Sequence, residues 1–122
     1  MKPTIDHTFA DNFAGQWLSA WNDHDIERIL DHYTDDFEMS SPVVVQITGN
    51  LEGKLQGKAA IRAYWSKALA HYPNLRFTPI CTLLGVNSIA IHYLGATGKL
   101  VIEVFSFDEG GMVYKAHAHY QA

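Results

Sequence analysis

The sequence predicts an α+β domain in which helices near the N-terminus cover one face of a curved, mainly antiparallel sheet. Three observations predict it. Apolar residues recur at three- and four-residue steps early in the chain and again over 58–72. From Leu75 onward the chain breaks into four β-rich runs, and turns bearing glycine or asparagine separate them. Helices early and strands late favour α+β over an alternating α/β pattern.

Phe9, Phe13 and Trp17, with Ala10, Ala14, Leu18 and Trp21, share one helical face and define a first helix. The run "NDHD" ends it. Asp23 and Asp25 there are suited to accept from the free N–H groups of a second helix, whose stripe is Ile26, Ile29, Leu30 and Tyr33. The segment "DFEMSSP" turns extended, with Phe37, Met39 and Ser41 on one side, until Pro42 interrupts any ladder. Beyond it "VVVQI" reads as a strand. Gly49, Asn50, Gly53 and Gly57 mark a hairpin-like connection, and Ile61, Trp65, Leu69 and Tyr72 align on a third helix closed by Pro73. The four late runs are 75–85, 88–95, 99–108 and 112–120.

A chain of 122 residues with 48% hydrophobic and 12% aromatic content builds one domain, residues 1–122, with a core of its own. Nine Lys and Arg against thirteen Asp and Glu leave a net charge of −4, with no basic stripe. That balance argues against nucleic acid or an anionic membrane as partner. The single Cys81 excludes an internal disulfide and reads as a small buried residue. Residues 1–13 carry no apolar export segment, and no run approaches membrane-spanning length, so a soluble cytoplasmic protein is expected.

The stretches "AWNDHDIERILDHYTDDFEMSSP", "GKAAIRAYW", "PNLRF" and "VFSFDEGGMV" follow one another in an order and spacing that resemble the nuclear-transport-factor-2-like superfamily, closest to its SnoaL-like branch of polyketide cyclases. The resemblance runs from Phe9 to the end of the chain. It implies a cone: three N-terminal helices packed on a strongly curved sheet that encloses an apolar pocket. It is less specific for activity, because this fold hosts isomerases, cyclases, dehydratases, epoxide hydrolases and plain binders. In the related ketosteroid isomerases a carboxylate base precedes the proline after the first strand, and here Ser41 stands there. Trp17 replaces their oxyanion-donating tyrosine, and Ala118 replaces the acid/base aspartate of SnoaL-like cyclases. Glu103 alone matches, at the place of the isomerases' protonated acid donor.

Glu103 is also the most informative residue without any resemblance. It shares its side of "KLVIEVFSF" with Val101, Phe105 and Phe107, while Leu100, Ile102 and Val104 make the opposite side apolar too. Burial raises a carboxyl pKa, which suits a general acid, general base or neutral donor near pH 7. Otherwise the glutamate is held by a helix-borne Arg or Tyr, or sits at a dimer seam. His92 and Tyr93 compete for the inward side of the preceding strand, and the one pointing in would partner Glu103. Catalytic candidates are therefore Glu103 and His92. Candidate pocket wall is Trp17, Tyr33, Phe37, Met39, Ser41 and Trp65, joined on the late strands by Val101, Phe105, Ala118 and Tyr120.

In "MVYKAHAHY" one alternating set is Met112, Tyr114, Ala116, Ala118 and Tyr120, apolar and suited to face the helices. Lys115, His117 and His119 then lie on the outer face, which in this superfamily is often a dimer surface. A metal would need a third ligand beside the histidine pair, and Lys115 in line with it adds unfavourable charge, so no metal is expected. "GNLEGKLQGK" lacks the spacing of a phosphate loop and reads as a hairpin leading into a helix. The expected partners are a small apolar molecule and a second copy through the outer sheet face, with no cofactor. The function expected is small-molecule binding, with cofactor-independent isomerase, cyclase or dehydratase chemistry; the alternative is a non-catalytic binding or dimerisation module.

Overall fold

Among the described residues, four helices and six strands make up the fold. The computed structural model describes residues 4–122. Helix α1 spans His7–Asn22, and Asp6 caps it by accepting the Phe9 N–H at 3.0 Å. Helix α2 is Ile26–Leu30, capped by Asp25, which accepts the Arg28 N–H at 3.2 Å. Asp23 instead holds the Arg28 guanidinium at 2.8 Å. Strand β1 is Tyr33–Ser40, followed by α3 over Pro42–Thr48, β2 over Lys54–Gln56 and α4 over Lys58–His71. The late strands are β3 Thr78–Gly85, β4 Ser88–Leu94, β5 Leu100–Phe107 and β6 Val113–Tyr120.

The strands form one sheet in the order β2-β1-β6-β5-β4-β3, which does not close on itself. Only β1 and β6 run parallel; the remaining neighbours are antiparallel. Register breaks in β1, β3 and at the β5–β6 pair add local bends, and bends of this kind curl a sheet around what it covers. Helices α1 and α4 fill the concave side. Trp17 meets the rings of Trp21, Phe77, Tyr93 and Phe105 at 5.1–6.1 Å between centroids, so one aromatic cluster joins helix to sheet.

Several elements differ from the sequence expectation. "VVVQI" is helical: the Ser41 hydroxyl accepts the Val43 N–H at 3.1 Å, Pro42 occupies the first turn, and Gly49 closes the helix at φ +75°. Three helices thus become four. Tyr33 begins β1 instead of ending α2. Strand β5 is covered on one face only, since Leu100 and Ile102 are exposed on the other. Cys81 is exposed as well. In β6 the expected alternation holds from Ala116 onward, but Val113 is buried and Tyr114 exposed. The cause is the break in register, where Phe107 pairs with Val113 and Ser106 with Lys115, leaving Tyr114 as the extra residue.

Candidate functional site

Between the helices and the concave sheet face lies a cavity of about 250 Å³. Its inner wall is aromatic: Trp17 and Trp21 from α1, Tyr64 and Trp65 from α4, and Phe77 and Tyr93 from the sheet side. These residues are buried. The α4 contribution follows from spacing, because Ile61, Tyr64, Trp65 and Ala68 are the buried residues of that helix and repeat at three and four. The rim is exposed and more polar, made by Pro42 and Gln46 of α3 and by Ala96, Thr97 and Lys99 of the β4–β5 turn.

Glu103 and Ser41 are the buried polar residues of the chain among those described, and both line this cavity. Glu103 is 8% exposed, and its Oε1 accepts the Tyr93 hydroxyl at 3.0 Å. Burial pushes its carboxyl up from 4.5 to about 7, and the Tyr93 hydrogen bond opposes only part of that rise. Burial likewise raises Tyr93, with the Glu103 charge adding to it, so Tyr93 remains a neutral phenol able to donate. Tyr64 and Tyr120 are raised for the same first reason, and the Ser41 hydroxyl partly offsets both. A carboxyl that is half ionised near neutrality thus faces an apolar cavity beside phenols that stay protonated.

Of the residues expected at the site, Trp17, Met39, Ser41, Trp65, Glu103, Ala118 and Tyr120 line the cavity. Tyr33, Phe37, Val101 and Phe105 do not; they are buried in the core around it. The Trp17 indole N–H is already spent, donating to the Tyr33 hydroxyl at 2.9 Å. His92 is corrected: Tyr93 takes the inward place, and His92 faces the other way, with Nδ1 3.9 Å from the Cys81 sulfur. On β6 the His117 Nδ1 meets the Ser40 hydroxyl at 2.5 Å, His119 is exposed, and Lys115 pairs with Glu38 at 3.8 Å. Among the described residues no three His, Cys, Asp or Glu are grouped as ligands for a metal ion. None of their helices is long and apolar enough to cross a membrane.

Several cavity residues were missed in the sequence. Trp21 and Tyr72 sit on the expected helical stripes, whose spacing does not distinguish cavity from core. Tyr64 and Ala68 lie beside the expected α4 stripe, and Leu75, Phe77 and the turn residues Ala96, Thr97 and Lys99 carry no pattern that marks them. Pro42, Val43 and Gln46 were hidden because their segment reads as a strand.

Residues 14–120 match the SnoaL-like domain as a family. The chain belongs to the SnoaL-like family. The SnoaL-like protein is similar to a protein of unknown function from Burkholderia thailandensis, at 51% identity over 98% of this chain and 100% of that one, with a TM-score of 0.94. A second similar structure is a putative isomerase of the SnoaL-like family from Agrobacterium tumefaciens, with 18% identity over 94% and 99% of the two chains and a TM-score of 0.75. A third is SalBIII, described as an epoxide hydrolase/cyclase-like enzyme in pyran ring formation, with 17% identity over 97% and 95% and a TM-score of 0.73. The last two share the fold. No curated protein matches the sequence.

Proposed function

We propose that this SnoaL-like protein is a cytoplasmic, cofactor-independent acid–base enzyme that isomerises, cyclises or dehydrates a small, largely apolar substrate. One observation carries the reading: Glu103 is a buried carboxyl at the cavity wall, held by the Tyr93 hydroxyl, and burial pushes its pKa up to about 7. As a carboxylate it takes a proton from an acidic C–H or O–H of the bound molecule; as a carboxylic acid it returns that proton at another atom. For isomerisation or ring closure the net change is a shift of one proton; for dehydration the proton is returned to a hydroxyl that leaves as water, and no redox partner is needed. Tyr93 holds the carboxyl in place and stabilises its charged form before the proton is taken and again after it is returned. Two fold neighbours are named as a putative isomerase and as an epoxide hydrolase/cyclase-like enzyme, which supports the assignment by analogy of fold alone.

The test is proton exchange on a β,γ-unsaturated cyclic ketone in D2O, followed by NMR. Wild-type protein should catalyse exchange with an inflection near pH 7, and Glu103→Gln should lose about 10²–10⁴-fold in rate, the usual worth of a positioned acid or base. Equal rates in the two proteins would remove Glu103 from the chemistry. A non-catalytic binder is the second reading. It is favoured by Ser41, whose hydroxyl caps α3 at the position where the related isomerases carry a base. A Glu103 carboxyl titrating near 4.5 by 13C NMR would favour it.

A further inference from the structure

We propose that the natural ligand is an organic acid: a small apolar ring system whose carboxylate or similar anionic group stays at the cavity rim, held by the Lys99 ammonium. This deepens the reading of the cavity as a ligand site and rests on it. The distribution of charge is the starting point. The chain is acidic overall, at −4, yet among the residues lining the cavity the acidic or basic side chains are Lys99 at the rim and Glu103 inside. Among the described residues Lys54, Lys67, Arg76 and Lys99 have no carboxylate within 4.0 Å, and of these Lys99 lines the cavity. An unpaired cation at the mouth of a low-dielectric cavity attracts anions into it.

The lysine also leaves from a well-defined backbone. Gly95 N–H donates to the Lys99 carbonyl at 2.8 Å, Gly98 N–H donates to the Gly95 carbonyl at 3.0 Å, and Gly98 takes φ +80°. The turn is packed against its surroundings: a Cβ on Gly95 would meet Val101 at 3.0 Å and the Tyr120 ring at 4.0 Å. Thr97 and Gln46 stand on the same rim with neutral donors for an acid's second oxygen.

Orientation follows from the other end. An anion pushed inward would lie in an apolar wall near a second carboxyl, where its charge loses water and meets repulsion. With its acid outward, the ring instead packs between Trp17, Trp21 and Trp65 and brings its reactive carbons toward Glu103. A cavity of about 250 Å³ is smaller than the common range for drug-sized ligands, which begins at roughly 300 Å³. A compact ring skeleton fits that limit.

Two fluorescent naphthalene dyes of nearly one shape separate the claims: 1-anilinonaphthalene-8-sulfonate, which is anionic, and N-phenyl-1-naphthylamine, which is neutral. Wild-type protein should bind both, the anionic dye more tightly. Lys99→Gln should weaken the anionic dye about fivefold, the upper end for an exposed ion pair, and leave the neutral dye within about twofold. Lys99→Arg should restore the preference, and added salt should shrink it. Ala118→Phe, which fills the cavity, should abolish both. Loss of the preference for the anion, or its survival in Lys99→Gln or Ala118→Phe, overturns the organic-acid assignment while neutral-dye binding keeps the cavity reading. Failure of both dyes to bind overturns both.

Discussion

Glu103 ties stability to pH in a direction set by its burial. Its folded pKa of about 7 lies above the unfolded 4.5, so between those values the native state holds a proton that the unfolded chain gives up. The stabilising proton is fully present below about 4.5 and lost as pH rises through 7. The difference corresponds to about 3 kcal/mol at the alkaline side. Urea titrations should therefore show Glu103→Gln gaining on wild type from pH 5 to pH 8; a gap that does not change with pH would contradict the buried, protonated carboxyl. A second test concerns the Trp17–Tyr33 pair. Tyr33→Phe keeps the ring but leaves a buried indole N–H unpaired, at a cost of about 1–3 kcal/mol in unfolding free energy. Because Tyr33 does not line the cavity, dye affinity should hold. Glu103 was legible in the sequence as a lone carboxylate on an alternating apolar strand. His92 and Tyr93 were not separable, because both are amphipathic and neighbours in a strand face opposite ways.

Helix α3 shows where local signals mislead. Three consecutive valines have high β-propensity, and on that measure the segment is a strand. Its ends decide otherwise. Ser41 caps, Pro42 has no N–H to lose, and Gly49 accepts a left-handed backbone while its N–H reaches the Val45 carbonyl at 3.0 Å. Val44, fully buried, then anchors the helix. The cap residues were visible in the sequence, but propensity outweighed them, and with α3 went one side of the cavity rim. Gly49→Ala isolates the backbone contribution, since open space surrounds the position. It should cost about 1 kcal/mol, read as a lower urea midpoint with an unchanged slope. An unchanged midpoint would mean that α3 does not need its left-handed terminus. Helices α1 and α4 and strands β4 and β5 were legible because a buried stripe of 3.6 or 2 residues per repeat runs through each; β3, with no buried residue, was marked by its β-rich composition and its bounding turn.

At the scale of the molecule, order and spacing carried the α+β cone and its family, while the faces of the sheet needed coordinates. Both sides of β5 look apolar in sequence, yet the helices cover one. The uncovered face presents Leu83, Leu100 and Ile102 at 37–50% exposure. Glu38 and Lys115 flank it with charges of both signs, and His92, His117 and His119 add donors and acceptors. Such a surface suits a second copy of itself better than a strongly charged partner, because a twofold axis allows Glu38 of each copy to face Lys115 of the other. We infer a homodimer through this face, with the cavities opening away from the seam. Light scattering should give twice the chain mass. Ile102→Lys, which places a charge on the uncovered face at a position that does not line the cavity, should return the monomer mass while far-UV circular dichroism and neutral-dye binding stay as in wild type. A wild-type protein that scatters as a monomer at all concentrations would leave these side chains in water, and an Ile102→Lys variant that remains dimeric would move the seam to another surface.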